Sequence, residues 1–343
     1  MTGGEKEITI YDIANKLNIS AATVSRALKD HPRVSKKTKK LVIKIANEMG
    51  YRSNSFASNL RKKSSHIIGL IVPRLNSNFM ADVIAGLEKV LNNNNYNLII
   101  SQSLETMQKE ISNANAMLVN RVDGLLISLA YDTTNIDHLE PFIKRNIPVI
   151  FFDRVFEHDR CPQIYIDNYK AAYEITTHLI KQGCKRIVHI TASQLRKIYA
   201  ERYAGYKKAL EDHNIQFDAD LVIINDLSSE AGIASAHQIL KMSPRPDGVF
   251  SANDNCAISC MQTLKKEGIK LPADMAFAGF NNDPAAIVVE PNLTTVNYKG
   301  YEMGEVAAKL MIDHLINKDE FHPAHSLILR SEMIVRESSL RKV

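Results

Sequence analysis

The chain carries, at residues 8–28, the stretch ITIYDIANKLNISAATVSRAL. Thr9 and Asp12 fit the capping-box pattern, in which two side chains bond each other's backbone N–H at a helix start. Apolar residues then recur at helical spacing, and Asn18 follows where a left-handed residue can end the helix. Ser20 is a good N-cap for a second helix. The stretch therefore predicts two short helices joined by a tight turn, which is the helix-turn-helix arrangement.

The second predicted helix has an outer face suited to the DNA major groove. Ala21 and Ala22 are small enough for close approach and for apolar contact with thymine methyl groups. Arg26 can bond a guanine edge with two hydrogen bonds. The alternative is a three-helix bundle in which Arg26 is only solvated. The side chains expected at DNA phosphates, which position a protein without reading sequence, are Thr23, Ser25, Lys29 and the lysine-rich residues 36–40.

A third helix is predicted after Pro32. Ser35 is its expected N-cap, and Gly50 lies just past its expected end. The residues expected to point inward from this helix are Leu41, Val42, Ile45 and Met49.

Charge is unevenly distributed along the 343 residues. The chain has 43 Lys and Arg against 38 Asp and Glu, a formal net charge of +5. Residues 1–64 hold 14 basic and 5 acidic residues, so this segment carries +9 and the remainder −4. A basic head on a mildly acidic body indicates a polyanionic partner for the head, and a solvated lysine-rich surface is the plain alternative.

From residue 66 onward, short apolar runs alternate with amphipathic helical patterns. This alternation is typical of βαβ units and of parallel sheets that are buried on both faces. About nine such units exceed one sheet of ordinary size, so two α/β subdomains are expected. The predicted strands are residues 67–72, 98–101, 124–129, 149–152, 164–166, 187–190, 221–224, 249–251 and 275–279. The predicted helices are residues 79–93, 171–181, 202–213, 231–241 and 257–266.

Polar residues follow several of the predicted strands. In open α/β folds, ligands bind outside the carboxyl ends of the strands. Carboxylates, amides and arginine around one cleft suit a hydroxyl-rich ligand, because they match vicinal hydroxyls in pairs. For any of these residues, and above all for Asn253, Asp254 and Asp283, a helix-cap or turn role is the alternative. The strand-end residues are 73–79, Asp153 with Arg154, 192–195, Asn253 with Asp254, and 281–283.

The sequence offers no catalytic or cofactor motif. It has no G-x-S-x-G, no P-loop, no G-x-G-x-x-G at a strand end and no His/Cys metal spacing, so no enzyme, cofactor or metal is predicted. No apolar run reaches the roughly 18–20 residues of a membrane span, and the N-terminus lacks a signal-peptide core. The 4 scattered cysteines suit a reducing compartment. A cytoplasmic, nucleoid-associated protein is therefore expected.

At residues 8–51 the sequence resembles the lactose-repressor (LacI/GalR) family of bacterial transcriptional regulators. The family pattern T-[IL]-x-D-[IV]-A, followed by S-x-x-T-V-S-R-x-[IL], is matched by residues 9–14 and 20–28. The resemblance implies that positions 21, 22 and 26 hold the main base-reading side chains. Tyr11 is placed with them among the DNA-binding residues.

Residues 54–65 read as a polar linker or, by the same resemblance, as the hinge that the family writes P-N-x-x-A-R-x-L. In the family a short helix forms there on the operator, pairs with its dimer mate and inserts a leucine into the minor groove. The resemblance gives Asn54 as the cap, Ala57 as a helix–helix contact and Leu60 as the wedge. Two departures, Ser53 for Pro and Ser58 for Arg, predict a more flexible hinge.

The body resembles the family's sensor, an α/β two-lobed fold that is similar to periplasmic sugar-binding proteins and has parallel sheets. Asn281 stands where sugar-binding relatives usually have Asp, so a different hydroxyl pattern is expected in the ligand. For Arg154, an interlobe salt bridge is the alternative. The resemblance places at the effector cleft Phe79, Asp153, Arg154, Arg202, Asn253, Asp254 and Asn281.

The predicted organisation has three parts, and the body has two lobes. The family's tetramer-forming leucine heptads are missing near the C-terminus, so a homodimer is expected. The chain is expected to cross between lobes near residues 167, 293–298 and 322–327. The parts are 1–53, an all-α helix-turn-helix DNA-binding domain; 54–65, the hinge; and 66–343, the effector-binding and dimerisation domain, with lobes at 66–165 plus 297–325 and 166–296 plus 326–343.

The expected function is that of a repressor that binds a pseudo-palindromic operator as a dimer. A small effector, a sugar or sugar phosphate, is expected between the lobes, where it controls operator affinity. A purine-type corepressor is the alternative effector. A solute-binding protein fits the body and not the basic head. An α/β enzyme with a nucleic-acid-binding appendage would need a catalytic pairing that the sequence does not show.

Overall fold

The structure is a computed structural model that describes residues 8–51, 64–317 and 326–341. The chain divides into two compact units, residues 1–65 and residues 66–343. The first unit is called the head and the second the body.

The head contains three short helices: α1 (Ile10–Leu17), α2 (Ala21–Leu28) and α3 (Lys36–Glu48). The predicted capping box is present, with Thr9 N donating to Asp12 Oδ2 at 2.8 Å and Asp12 N donating to Thr9 Oγ1 at 3.4 Å. Asn18 ends α1 at φ 50°, in the left-handed region. The backbone N–H of Thr23 donates to Ser20 Oγ at 3.1 Å. These caps define the tight turn between α1 and α2.

One small apolar core holds the three helices together. Ile13, Val24 and Val42, one from each helix, are fully buried. The prediction that Leu41 points inward is wrong, because Val42 and Ala46 form the buried stripe of α3 and Leu41 is 49% exposed. Ile45 and Met49 pack against the core as predicted.

The first sheet of the body has six strands, all parallel. Its strands are β1 (Ile67–Val72), β2 (Asn97–Gln102), β3 (Gly124–Ile127), β4 (Val149–Phe152), β5 (Gln163–Ile166) and β11 (Ser326–Leu329). They lie in the order β11-β5-β4-β3-β1-β2, and Ile68 of β1 is in register with Leu98 of β2 and Gly124 of β3. Strands β3 and β4 are wholly buried, as expected for a parallel sheet covered on both faces.

The second sheet has four parallel strands in the order β7-β6-β8-β9. Its strands are β6 (Ile187–Thr191), β7 (Val222–Ile224), β8 (Gly248–Ser251) and β9 (Ala276–Ala278). A separate antiparallel pair joins β10 (Thr295–Asn297) to β12 (Glu332–Ile334). The two parallel sheets that the sequence predicted are therefore present in the described residues.

Residues 326–329 correct one predicted lobe boundary. They were assigned to the second lobe, but β11 pairs in parallel with β5 and so extends the edge of the first sheet. The chain leaves this sheet after Leu329, immediately before β12. The return between lobes therefore lies just beyond the predicted 322–327 range.

Helices cover the sheets in closely packed pairs. The helices of the body are α4 (Asn78–Asn93), α5 (Met107–Val119), α6 (Glu140–Lys144), α7 (Asn168–Lys181), α8 (Lys197–Asp212), α9 (Ser229–Leu240), α10 (Asp254–Lys266) and α11 (Gly300–Asn317). Glycine permits the close approach of α4 and α11, since a Cβ at Gly304 would overlap the carbonyl oxygen of Val83. The sequence did not predict α5 or α11.

Candidate functional site

The outer face of the head presents the side chains that were predicted to contact DNA. Ala22 and Arg26 are exposed on α2, Lys29 is exposed at its C-cap, and Tyr11 on α1 is 67% exposed. Ala21, Thr23 and Ser25 are partly exposed. The geometry thus leaves Arg26 accessible for a base edge, and a bidentate contact to guanine would supply about 1–3 kcal/mol of discrimination.

Lys39 departs from the phosphate-contacting role expected of the lysine-rich residues 36–40. Its Nζ donates to Asp30 Oδ1 at 2.7 Å and to the Asp30 carbonyl oxygen at 2.9 Å. The hydrogen bond from Lys39 lowers the pKa of Asp30. Lys39 therefore stabilises the turn between α2 and α3. Lys36, Lys37 and Lys40 remain the lysines of this segment that are predicted to contact DNA phosphates.

The hinge predictions lie outside the described residues. They concern the cap Asn54, the helix contact Ala57, the wedge Leu60, and the departures at Ser53 and Ser58. These assignments stay predictions from the resemblance.

The body contains an open cleft of about 520 Å³, a size in the range of small-molecule sites. Its walls come from the carboxyl ends of strands in both sheets, where parallel α/β folds bind ligands. The first sheet contributes the residues that follow β1, β2 and β4, and the second those that follow β7, β8 and β9. Of the predicted cleft residues, those on the walls are Phe79, Asp153, Arg154, Arg202, Asn253 and Asn281.

Asp153 follows β4 directly and is held in one orientation. Tyr298 donates its hydroxyl to Asp153 Oδ1 at 2.8 Å, and Ser128 donates to Oδ2 at 3.2 Å. Its backbone has φ 59°, a costly left-handed conformation that recurs at binding sites. Burial raises the pKa of Asp153, while the charge of Arg154 acts in the opposite direction. Each carboxylate oxygen keeps a further lone pair for a ligand hydroxyl.

Arg202 extends from α8 to the cleft floor and is also fixed by the protein. Its Nε donates to Asn168 Oδ1 at 2.9 Å, and its Nη1 donates to the carbonyl oxygen of Ala252 at 2.7 Å. The guanidinium lies 3.5 Å from the centre of the Phe280 ring. One terminal nitrogen, Nη2, has no described hydrogen bond, so it is the donor that Arg202 can offer a ligand.

Arg154 forms its salt bridge within the first lobe, and not between lobes as the alternative supposed. Its Nη1 donates to Glu105 Oε2 at 2.6 Å and its Nη2 to Glu105 Oε1 at 3.2 Å. The Nη2 atom also donates to the hydroxyl of Tyr199 on the second lobe at 3.4 Å. Arg154 thus positions Glu105 and Tyr199 at the cleft.

The side-chain amides of Asn253 and Asn281 differ in how many hydrogen bonds they can still form with a ligand. Asn253 caps α10, accepting from Cys256 N at 2.8 Å and donating to the Leu227 carbonyl oxygen at 3.0 Å. Both ends of this amide are in use, as the helix-cap alternative predicted. The Asn281 side chain has no described hydrogen bond, and its backbone has φ 120°. Asn281 can therefore donate to and accept from a ligand.

Asp254 is not on the cleft wall, although the sequence placed it there. It is fully buried beneath the wall, where Oδ1 accepts from Thr295 Oγ1 at 2.7 Å and Oδ2 accepts from Asp283 N at 2.8 Å. As the first residue of α10 it is buried against β10 and against the residues that follow β9. Burial raises the pKa of Asp254 to about 7. Its role is to tie α10 to β10 and to the loop after β9.

An Asp254→Asn variant is expected to lose much of the pH dependence of stability. Because the folded-state pKa is raised from 3.8 to about 7, the stabilising contribution is complete below about pH 4 and is lost as pH rises through 7. The amide imitates the protonated acid, since Nδ2 can donate to Thr295 and Oδ1 can accept from Asp283 N. Denaturant unfolding at a series of pH values between 5 and 8 measures the slope. A variant as pH-dependent as the exposed control Asp313→Asn would contradict this role.

The sequence reasoning missed several cleft residues. Tyr298 follows β10, a three-residue strand with no strong apolar run, and it stacks on Phe79 with ring centres 4.3 Å apart. Glu105 and Tyr199 have no motif, and only the packing of Arg154 reveals them. The other wall residues that were not predicted include Asp226 and Glu230, whereas Arg74 and Asp283 lie within the predicted strand-end ranges 73–79 and 281–283.

The two lobes also touch beside the cleft. The Tyr131 hydroxyl accepts a hydrogen bond from Ser193 N, and Arg196 donates to the carbonyl oxygen of Thr133. Tyr131 and Thr133 follow β3 of the first sheet, and Ser193 and Arg196 follow β6 of the second. A change in lobe orientation would have to break or rearrange these contacts.

The described residues contain neither a candidate metal site nor a candidate membrane span. No group of three or more His, Cys, Asp or Glu there could hold a metal ion. No helix within 8–51, 64–317 and 326–341 is long and apolar enough to cross a membrane.

Comparison with known proteins matches both units. The family model "Bacterial regulatory proteins, lacI family" matches residues 9–54, and the periplasmic binding protein-like domain matches residues 176–339. The HTH-type transcriptional regulator RegA of Clostridium saccharobutylicum is 30% identical over 333 residues, which cover 97% of this chain and 99% of RegA. The ribose operon repressor of Halalkalibacterium halodurans is 28% identical over 331 residues, with 96% and 97% covered.

A solved structure shows the same fold. The Lac repressor dimer bound to operator and the anti-inducer ONPF matches with a TM-score of 0.84, over 98% of this chain and 100% of that chain, at 23% identity. A helix-turn-helix head and a two-sheet body with a polar cleft define a DNA-binding regulator that senses a ligand. The chain belongs to the lacI family of bacterial regulatory proteins. The predicted family and fold class are thereby confirmed.

Proposed function

We propose that the chain is a cytoplasmic, homodimeric repressor without catalytic activity, whose operator affinity is set by a hydroxyl-rich effector in the interlobe cleft. The observation that carries this proposal is the cleft itself. Asp153 of the first lobe and Arg202 and Asn281 of the second line one space and keep hydrogen-bonding capacity there. Such a pocket favours ligands with matching hydroxyls, because analogues that lack them leave polar groups unpaired.

The proposed division of labour follows the predicted domains. Residues 1–53 read DNA, with Arg26 as the main base-reading side chain. Residues 54–65 form the hinge, and the body binds the effector and the second subunit. The lobes are assigned as predicted, except that residues 326–329 join the first.

The proposed control step is a shift in lobe orientation. A ligand changes operator affinity only if it binds one orientation better than the other. Hydrogen bonds to Asp153 on one side and to Arg202 on the other are both made only when the lobes are at the right distance. The contacts of Tyr131 and Arg196 beside the cleft stabilise the lobe orientation of this structure.

A sugar is the first effector class to test, and one relative supports this order. The ribose operon repressor is named for a sugar operon. A thermal-shift screen of pentoses, hexoses, disaccharides and nucleobases identifies the ligand, and each hit is then tested in operator titrations. The proposal expects a sugar that both stabilises the body and changes operator affinity. A nucleobase as the only hit would establish the corepressor alternative, and hits without any effect on DNA binding would contradict the proposed control.

A further inference from the structure

The cleft walls carry more negative than positive groups. Three arginines and five carboxylates line them, and no lysine or histidine does. The arginines are Arg74, Arg154 and Arg202, and the carboxylates are Glu105, Asp153, Asp226, Glu230 and Asp283. An anionic ligand bound here would be repelled by the excess of carboxylates over arginines on the walls.

The arginines are already engaged by the protein. Arg154 forms its two-pronged bond with Glu105, and Arg74 Nε lies 3.5 Å from the same carboxylate. Arg202 is committed to Asn168 and Ala252, and its charge acts on the neighbouring Asp153. Arg74 and Arg154 are therefore paired with a carboxylate, and Arg202 offers a phosphate group one nitrogen, Nη2, among walls on which carboxylates outnumber arginines.

Four helices, α4, α8, α9 and α10, begin at the cleft wall, and helix N-termini attract anions. Three of them, α4, α9 and α10, already have a protein carboxylate nearby, whereas α8 has no acidic residue in its first turn. Glu230 lies in the first turn of α9 and Asp254 in the first turn of α10. At the start of α4, the side chain of Asn78 bonds the Asp283 carboxylate. The cap side chains also bond the N–H groups of Met80, Ala231 and Cys256.

Asp283 lies in a part of the cleft where the electrostatic potential is negative. Burial and the charge of Asp82 raise its pKa to about 6. Asp82 lies on α4 of the first lobe, so the two carboxylates that repel each other come from different lobes. Neither forms a salt bridge within the described residues.

We infer that the effector is a carbohydrate without an anionic group, so the cleft excludes phosphorylated sugars. This inference rests on the proposed function and narrows its ligand class. Phe79 and Tyr298 lie on the cleft wall with their rings stacked on each other, while Asp153, Arg202 and Asn281 supply hydrogen bonds. None of these features requires a charged ligand.

The test uses a fluorescent dye attached at the rim of the cleft, so that its signal reports ligand binding there. Asn76 is exposed at the rim, and the native cysteines are all buried, so an Asn76→Cys variant of the full chain is labelled at one place. Ribose with ribose 5-phosphate, glucose with glucose 6-phosphate, and inorganic phosphate are titrated at constant ionic strength. A double variant, Glu230→Gln with Asp283→Asn, carries the same label.

The phosphorylated member of each binding pair is expected to bind at least about tenfold more weakly, which corresponds to about 1.4 kcal/mol. Inorganic phosphate is expected to give no saturable signal with the native cleft and to gain affinity in the double variant. Saturable phosphate binding to the native cleft, or a sugar phosphate that binds as tightly as its sugar, would overturn the inference. The titration with inorganic phosphate tests whether the cleft excludes anions even if neither sugar binds. If no sugar alters operator affinity, that result contradicts the proposed function and leaves the exclusion of anions standing.

Discussion

An Arg26→Ala variant is expected to bind its operator about tenfold to a hundredfold more weakly and to lose discrimination at one base pair of each half-site. Arg26 lies exposed on α2, two turns from an N-terminus that is fixed by the Ser20 cap. Its guanidinium forms no described hydrogen bond within the head, so the side chain is available for a guanine edge. A binding-site selection with the native protein and the variant measures the loss position by position.

Lys29→Ala is the matched control for this experiment. Lys29 is exposed at the C-cap of the same helix and is expected to contact phosphate. Its removal should weaken binding evenly across sequences and reduce the slope of log affinity against log salt by about one. An Arg26→Ala variant with an unchanged sequence preference would show that another side chain reads that base pair.

An Asp153→Ala variant is expected to lose the thermal shift that the true effector gives the native protein. The carboxylate is the only cleft group of the described residues that is oriented by both Tyr298 and Ser128. Removing it also leaves those two hydroxyls without their acceptor, at about 1–3 kcal/mol of stability. The shift must therefore be measured against each variant's own melting temperature.

Two further variants keep this experiment decisive. Asp153→Asn preserves the shape and one acceptor, so it should fold well and retain only weak binding. Asp313→Ala, at an exposed position of α11, should keep the full shift. A full shift in both Asp153 variants would place the effector elsewhere.

Strands β1, β3, β4, β6, β8 and β9 were predictable because each is a short apolar run that is almost wholly buried, whereas β10, β11 and β12 were not predicted. Helix α5 was not predicted either, because two of its inward side chains are polar. Glu110 accepts from Ala130 N at 2.6 Å and from Thr133 Oγ1 at 2.9 Å, and Asn113 donates to the Gln102 carbonyl oxygen at 2.9 Å. Polar side chains that form tertiary hydrogen bonds thus occupy buried positions of α5 at which helix prediction expects apolar residues.

The site was predictable where strand ends alone determine position. Asp153 directly follows β4, Asn281 lies three residues after the end of β9, and both reach the cleft. Asp254 also follows a strand end, yet the start of α10 turns it into the interior. The roles of Tyr298 and Glu105 at the cleft follow only from their hydrogen bonds with Asp153 and Arg154. Side-chain direction and pairing across distant segments depend on tertiary packing, which a single sequence does not display.

Binding of the effector to operator-free and operator-bound protein most directly tests whether the cleft controls the head. The labelled Asn76→Cys variant gives the dissociation constant of the identified sugar in both states. Linkage requires the operator to change effector affinity by the factor by which the effector changes operator affinity, at least about fivefold in a typical allosteric protein. We expect two different constants whose ratio equals the change in operator affinity. The same constant with and without saturating operator would contradict control of DNA binding by the cleft.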